Sequence, residues 1–357
     1  MKKWKVRAYR LALSCLPSPR RETKAEGSVP DGLAEALRQH HAMSAALQLF
    51  DRNGPTGTLL WGNARAETAF RSASVTKHIT AMAAWRLHEA GMIDLDADTD
   101  PFLPCSLRHP KAPDVPVTLR MLLSHTAGIH DGAAYSAACL NNPSLQDVMR
   151  GDIHGRIPGQ FEYSNFGAGI AACVLESMLG KSFERILHEA VLDVLHVKAS
   201  CLPQTITDPI ADSRRVLPPS RKPALDAAAR KSLPLPADAP DPERHYLFSQ
   251  GNLYISAPML GRLGTELLRD RYAPMRHRIA SFGDRDPRLD MGLGTFIVQG
   301  ITDRTLYGHQ GLAYGAVHGL FYDPAAGKGF ALLTGGCSEA REGVLADINI
   351  AVMKLVF

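Results

Sequence analysis

Apolar and polar positions divide this chain into stretches of different period. After about forty residues without sustained periodicity, Ala45 to Phe50 and Thr58 to Trp61 read as two short strands around the turn Asp51-Arg52-Asn53-Gly54-Pro55, a hairpin. From Val75 the period changes. Ile79, Met82, Ala83, Leu87 and Ala90 follow at spacings of three and four, which predicts a helix stopped by Gly91. A short helix is expected from Thr118, its natural cap, to Ser124. Longer ones are expected over Phe166 to Leu179 and Phe183 to Leu195, punctuated by Gly180 and Ser182. Between Leu202 and Arg244 the chain turns Pro- and Ala-rich and charged, which predicts a long surface excursion.

From Gly292 the pattern becomes that of strands, at Leu293 to Val298, Thr305 to His309, Ala316 to Tyr322 and Phe330 to Thr334. Their short connections, such as Asp323 to Lys328, make them antiparallel. An amphipathic helix from about Glu339 to Leu355, carrying Val344, Ile348 and Val352, closes the chain. The expected class is α+β: an antiparallel sheet flanked by helices, with a mainly helical subdomain inserted. Residues 1–38 read as a basic leader. Residues 39–357 are expected to form the main domain, its α/β part at about 39–95 and 285–357 and its helical insertion at about 96–284.

The 45% hydrophobic and 21% charged fractions are ordinary for a globular chain, and no apolar run approaches the length of a membrane span. The net charge of +4 is concentrated at the start, where the first thirty residues hold eight lysines and arginines against two glutamates. The remaining body is weakly acidic, which argues against nucleic acid as a partner. Arg7 and Arg10 interrupt what a signal peptide would need as its apolar stretch, so a cytoplasmic location is expected. Trp4, Ala8 and Leu11 would share one helical face. That leaves a basic membrane-surface helix open beside a flexible or body-packed tail. Six scattered cysteines contain no Cys-x-x-Cys, and no histidine shows zinc-ligand spacing; neither a metal nor a cofactor is expected.

Candidate chemistry begins at Ser74-Val75-Thr76-Lys77, where one helical turn brings a hydroxyl and an amine to the same face. Four segments in order make the pattern specific: Phe70 to Lys77, Val117 to Gly128, Pro158 to Asn165 with Tyr163-Ser164-Asn165, and Tyr307 to Gly311 with His309-Gln310-Gly311. Together they resemble the serine β-lactamase and penicillin-binding-protein superfamily, in the branch of class C β-lactamases, DD-peptidases, D-aminopeptidases and family VIII esterases. The resemblance spans roughly residues 40 to 355. It implies the β-lactamase/transpeptidase-like fold and acylation of Ser74, with Lys77 and Tyr163 as proton-transfer groups; a phenolate is expected at Tyr163 beside the ammonium. It further implies that Asn165 holds the lysine or a substrate amide, and that His309 and Gly311 line the cleft. The N–H of Leu312 would pair with that of Ser74 as an oxyanion hole. His125 is read as a structural histidine in a buttressing segment.

Gln310 and Leu312 stand where relatives commonly place hydroxyls that grip a substrate carboxylate. Their absence tilts the expectation towards small neutral esters or amides. A carboxylesterase is the first reading, with a D-amino-acid peptidase, an amidase or a β-lactamase as alternatives. A non-catalytic member that binds a ligand or peptidoglycan is the rival of another class. The resemblance also leaves a periplasmic or secreted location as an alternative.

Overall fold

A computed structural model describes residues 3–17, 21–217, 220–221 and 239–357. Its centre is a nine-stranded antiparallel sheet of β1 (Thr23–Gly27), β2 (Ala45–Asp51), β3 (Gly54–Trp61), β4 (Ala280–Ser281), β5 (Leu289–Met291), β6 (Phe296–Val298), β7 (Leu306–Ala313), β8 (Ala316–Asp323) and β9 (Lys328–Thr334). Their order across the sheet is β1-β3-β2-β9-β8-β7-β6-β5-β4. The N-terminal hairpin and the C-terminal meander therefore meet at β2 and β9, with Leu47 opposite Leu332.

The α-helices of the fold include α1 (Lys3–Ser14), α2 (Leu33–Gln39), α3 (Val75–Glu89), α4 (Leu119–Leu123), α5 (Asn165–Leu179), α6 (Ala257–Leu267) and α7 (Asp347–Val356). β2 is buried at six of its seven positions because both sheet faces are covered, by α6 on one side and by α2 with α7 on the other. Close approach of α6 requires Gly264, where a Cβ would lie 2.2 Å from Phe50 Cζ. α3 runs between the sheet and the helical region and is buried from Val75 to Ala84, which makes it a rigid mount for whatever its first turn carries.

Several expectations change. The leader residues hold α1 and the edge strand β1, whose Thr23 to Gly27 pair with Trp61 to Gly57 of β3. α6, inside the span read as the helical insertion, packs on the sheet. The last helix begins at Asp347 rather than near 339, because residues 335–346 form a loop whose backbone bonds to Gln310 and Asp286. The helix from Phe183 becomes a π-turn over His188–Leu192. In the expected excursion from 202 to 244, residues 218–219 and 222–238 lie outside the described residues. No helix among the described residues is long and apolar enough to cross a membrane.

Candidate active site

Ser74 occupies the N-cap position of α3 without acting as a cap. Its φ and ψ of −64° and −6° are helical, and its side chain bonds no helix N–H. The preceding Ala73 holds a left-handed φ of 49°, uncommon for a residue with a Cβ, and this turn throws the serine clear of the helix end. One turn on, Lys77 is 2% exposed, and its Nζ lies 3.0 Å from Ser74 Oγ, 2.8 Å from Asn165 Oδ1 and 2.5 Å from the Gln250 carbonyl oxygen.

Three acceptors suit an ammonium, but burial works against the charge. Desolvation pulls Lys77 down to about 7, with Arg71 adding to the effect and Asp131 opposing it. Near neutral pH the amine and the ammonium are both populated, as a general base needs. Tyr163 moves the other way. Its burial raises the phenol, while a hydrogen bond with Ser74 opposes the rise only in part. The expected phenolate is therefore replaced by a neutral phenol. Lys77 Nζ sits 5.4 Å over its ring, and the His125 ring packs on it at 4.1 Å. His125 is fully buried, and its Nδ1 accepts from the Ser164 N–H at 3.2 Å; a neutral ring shapes the turn that carries Tyr163.

The cation holder has its own support, which sequence reasoning missed. Asp131 accepts from Asn165 Nδ2 at 2.8 Å, from Ser164 Oγ at 3.0 Å and from the Phe166 N–H at 2.9 Å, at the N-terminus of α5 where a carboxylate is favoured. By taking the amide's N–H, Asp131 turns the Asn165 oxygen towards Lys77. In Asp131→Asn a second amide N–H would face that of Asn165, so the Asn165 amide should flip and present Nδ2 to the lysine. The expected result is a loss of roughly tenfold or more in kcat, with the acid limb of the rate profile displaced below its wild-type position because an anion that stabilises the ammonium is gone. An unchanged kcat and an unmoved limb in a pH–rate series would contradict this role.

β7 places the remaining sequence-predicted residues, and not all of them in the cleft. Tyr314 and Gly315 form a two-residue turn with φ of 55° and 95°, so Ala313 and Ala316 are the hydrogen-bonded pair. By alternation the N–H of Leu312 points away from β8, on the side where β6 pairs only with Leu306 to Gly308. That is the side of Ser74, which lines the same cleft as Leu312 and whose own N–H makes no intramolecular bond among the described residues. The two N–H groups are thus free for an oxyanion. At Gly311 a Cβ would stand 2.3 Å from the Ser72 carbonyl oxygen, so glycine is what lets the strand lie against the serine turn.

His309 does not reach the cleft. It is fully buried, its Nδ1 is 2.7 Å from the Gln310 carbonyl, and its ring packs 4.0 Å from Phe296. The Gln310 amide is committed elsewhere: it donates to the Val344 carbonyl and accepts from the Ala346 N–H and Asn349 Nδ2, at 2.7 to 2.9 Å. It fastens the 335–346 loop and does not face substrate as a free amide. The cleft of about 400 Å³ is walled by Phe282, Phe296, Leu312 and Val344, and Arg285 and Arg341 stand at its edge. Burial lowers the Arg341 guanidinium and the like charge of Arg285 lowers it further, Glu339 opposing.

A serine hydroxyl 3.0 Å from a buried lysine, under a strand of this sheet, is the arrangement of the β-lactamase-like class of hydrolases. The chain belongs to the Beta-lactamase family, whose model matches residues 30–352. Among curated relatives, Protein flp of Staphylococcus aureus strain N315 is 26% identical over 143 residues, 39% of this chain, and the match spans 29% of that protein's length. A D-stereospecific amidohydrolase from Streptomyces sp. has the same fold, with a TM-score of 0.69 and 18% identity over 92% of this chain and 98% of that one. EstCE1, described as a hydrolase with promiscuous acyltransferase activity, superposes with a TM-score of 0.70 and 20% identity over 91% and 96%.

Proposed function

We propose that this protein hydrolyses small carboxylic esters through an acyl-enzyme on Ser74. The observation that carries the reading is the 3.0 Å contact between Ser74 Oγ and a lysine whose burial makes it a base near neutral pH. The Lys77 amine takes the serine proton as Oγ attacks the ester carbonyl, and the N–H groups of Ser74 and Leu312 receive the developing oxyanion. The Tyr163 phenol, kept protonated by burial, donates to the departing alkoxide and takes its proton back from the Lys77 ammonium, which restores amine and phenol for the second half. Water then repeats the sequence on the acyl-serine; an alcohol or amine acceptor in its place gives acyl transfer. The apolar walls fit a short acyl or alcohol chain, and the likeness to EstCE1, a hydrolase with promiscuous acyltransferase activity, is in keeping with hydrolysis and acyl transfer.

One observation favours a second reading. Arg285 and Arg341 bring to the cleft edge the cationic donors that Gln310 and Leu312 lack, so a substrate bearing a carboxylate, such as a peptide terminus or a β-lactam, is also matched. A panel of a short p-nitrophenyl ester, a D-amino-acid anilide, a D-alanyl-D-alanine peptide and a chromogenic cephalosporin separates them. The expected order puts kcat/KM for the ester at least about tenfold above the others. A peptide or cephalosporin turned over as efficiently as the ester would replace the esterase reading with the carboxylate one. No turnover of any member, with no mass adduct from a phosphonate probe, would leave the non-catalytic binding reading.

A further inference from the structure

α1 has two faces with different chemistry. Its inward face buries Val6 and Leu13 on the body. On the same side the Tyr9 hydroxyl accepts from the Glu339 N–H, and Arg10 pairs with Glu342 and Asp347 at 2.9 and 2.8 Å. Glu339 and Glu342 belong to the loop that carries Arg341 and Val344 to the cleft, and Asp347 is the first residue of α7 directly after it. The helix is thereby tied to the lip of the active site.

The outward face repeats at three and four residues through Trp4, Ala8 and Leu11, which the fold leaves without cover. Trp4 is 64% exposed and Leu11 67%. Leu16, just beyond the helix, is exposed as well, so three of the ten large apolar side chains exposed among the described residues fall in this one segment. Lys3, Lys5 and Arg7 are exposed around that face, and none forms an ion pair among the described residues, whereas the inward cation, Arg10, is paired. Lys5 Nζ lies 5.6 Å over the Trp4 ring, which keeps cation and indole on one surface. A helix with an aromatic and a leucine on one stripe and unpaired cations beside it is complementary to a negatively charged interface, where the indole sits at headgroup level and each cation meets lipid anions.

We propose that the outward face of α1 docks this protein on an anionic lipid bilayer, Trp4 and Leu11 entering the headgroup region and Lys3, Lys5 and Arg7 meeting the charged headgroups. Docking would hold the cleft lip near the bilayer surface, since the same helix grips Glu339, Glu342 and Asp347.

Flotation of the full chain with phosphatidylcholine vesicles, with and without about one-third phosphatidylserine, tests this directly. The expected result is binding at least about tenfold stronger to the anionic vesicles, lost at high salt. Trp4→Ala with Leu11→Ala, and separately Lys3→Glu with Lys5→Glu and Arg7→Glu, should each reduce it by about tenfold or more. Trp4 also reports its own environment: its emission should shift to the blue on anionic vesicles, and the shift should be absent in Trp4→Phe. Equal partition to neutral and anionic vesicles, or binding unaffected by both sets of substitutions, would overturn the proposal. So would light scattering that shows a dimer which Trp4→Ala with Leu11→Ala splits, since the face would then belong to a second copy of this chain.

Discussion

Replacing Ser74 by alanine should reduce ester turnover by at least about a thousandfold, because it removes the atom on which the covalent step is built. The lysine, the phenol and the two oxyanion N–H groups remain, but none can form the acyl bond. The substitution is small and sits in a turn that already holds Ala73 at a φ of 49°, so the fold should be kept. Intact mass after a fluorophosphonate probe checks the assignment independently of any substrate. Wild type should gain one adduct and Ser74→Ala none. An adduct that persists on the variant would move the nucleophile elsewhere.

The parts of the site that were legible in the sequence are those set by local spacing. Ser74 and Lys77 share a face because a helical turn is about 3.6 residues, and the turn residues before Val75 mark where the helix starts. Tyr163 and Asn165 were found through their motif, and the structure brings Asn165 to Lys77 across 88 positions of sequence. The rest was decided by long-range packing. Asp131 has no motif, and its importance arises only where its loop meets the N-terminus of α5. His309 and Gln310 were read from the strand alone, while the committed neighbours of Gln310 lie on the loop at Val344 and Ala346 and on α7 at Asn349. The phenolate expected at Tyr163 is not found because burial outweighs the hydrogen bond with Ser74 and the charge of Arg285. β1 escaped notice for a different reason. All five of its residues are exposed at the edge of the sheet, so it carries no period-two apolar signal.

The same burial that corrects Tyr163 sharpens what Lys77 and Tyr163 do together. Below about pH 7 Lys77 is an ammonium and cannot accept the serine proton, so kcat/KM should rise tenfold per pH unit up to a limb near 7 and level above it. Tyr163 adds no second limb, because its raised phenol stays protonated across the range and serves as donor. Lys77→Ala should cost on the order of a hundredfold or more and abolish the limb; Tyr163→Phe should cost a comparable factor and keep it. The double substitution should cost little beyond the worse single one, since base and donor serve one proton path that either loss interrupts. Two outcomes would break the relay. Losses that add in log kcat would mean that the groups act in separate steps, and a limb near 7 that survives Lys77→Ala would mean that another group supplies the base.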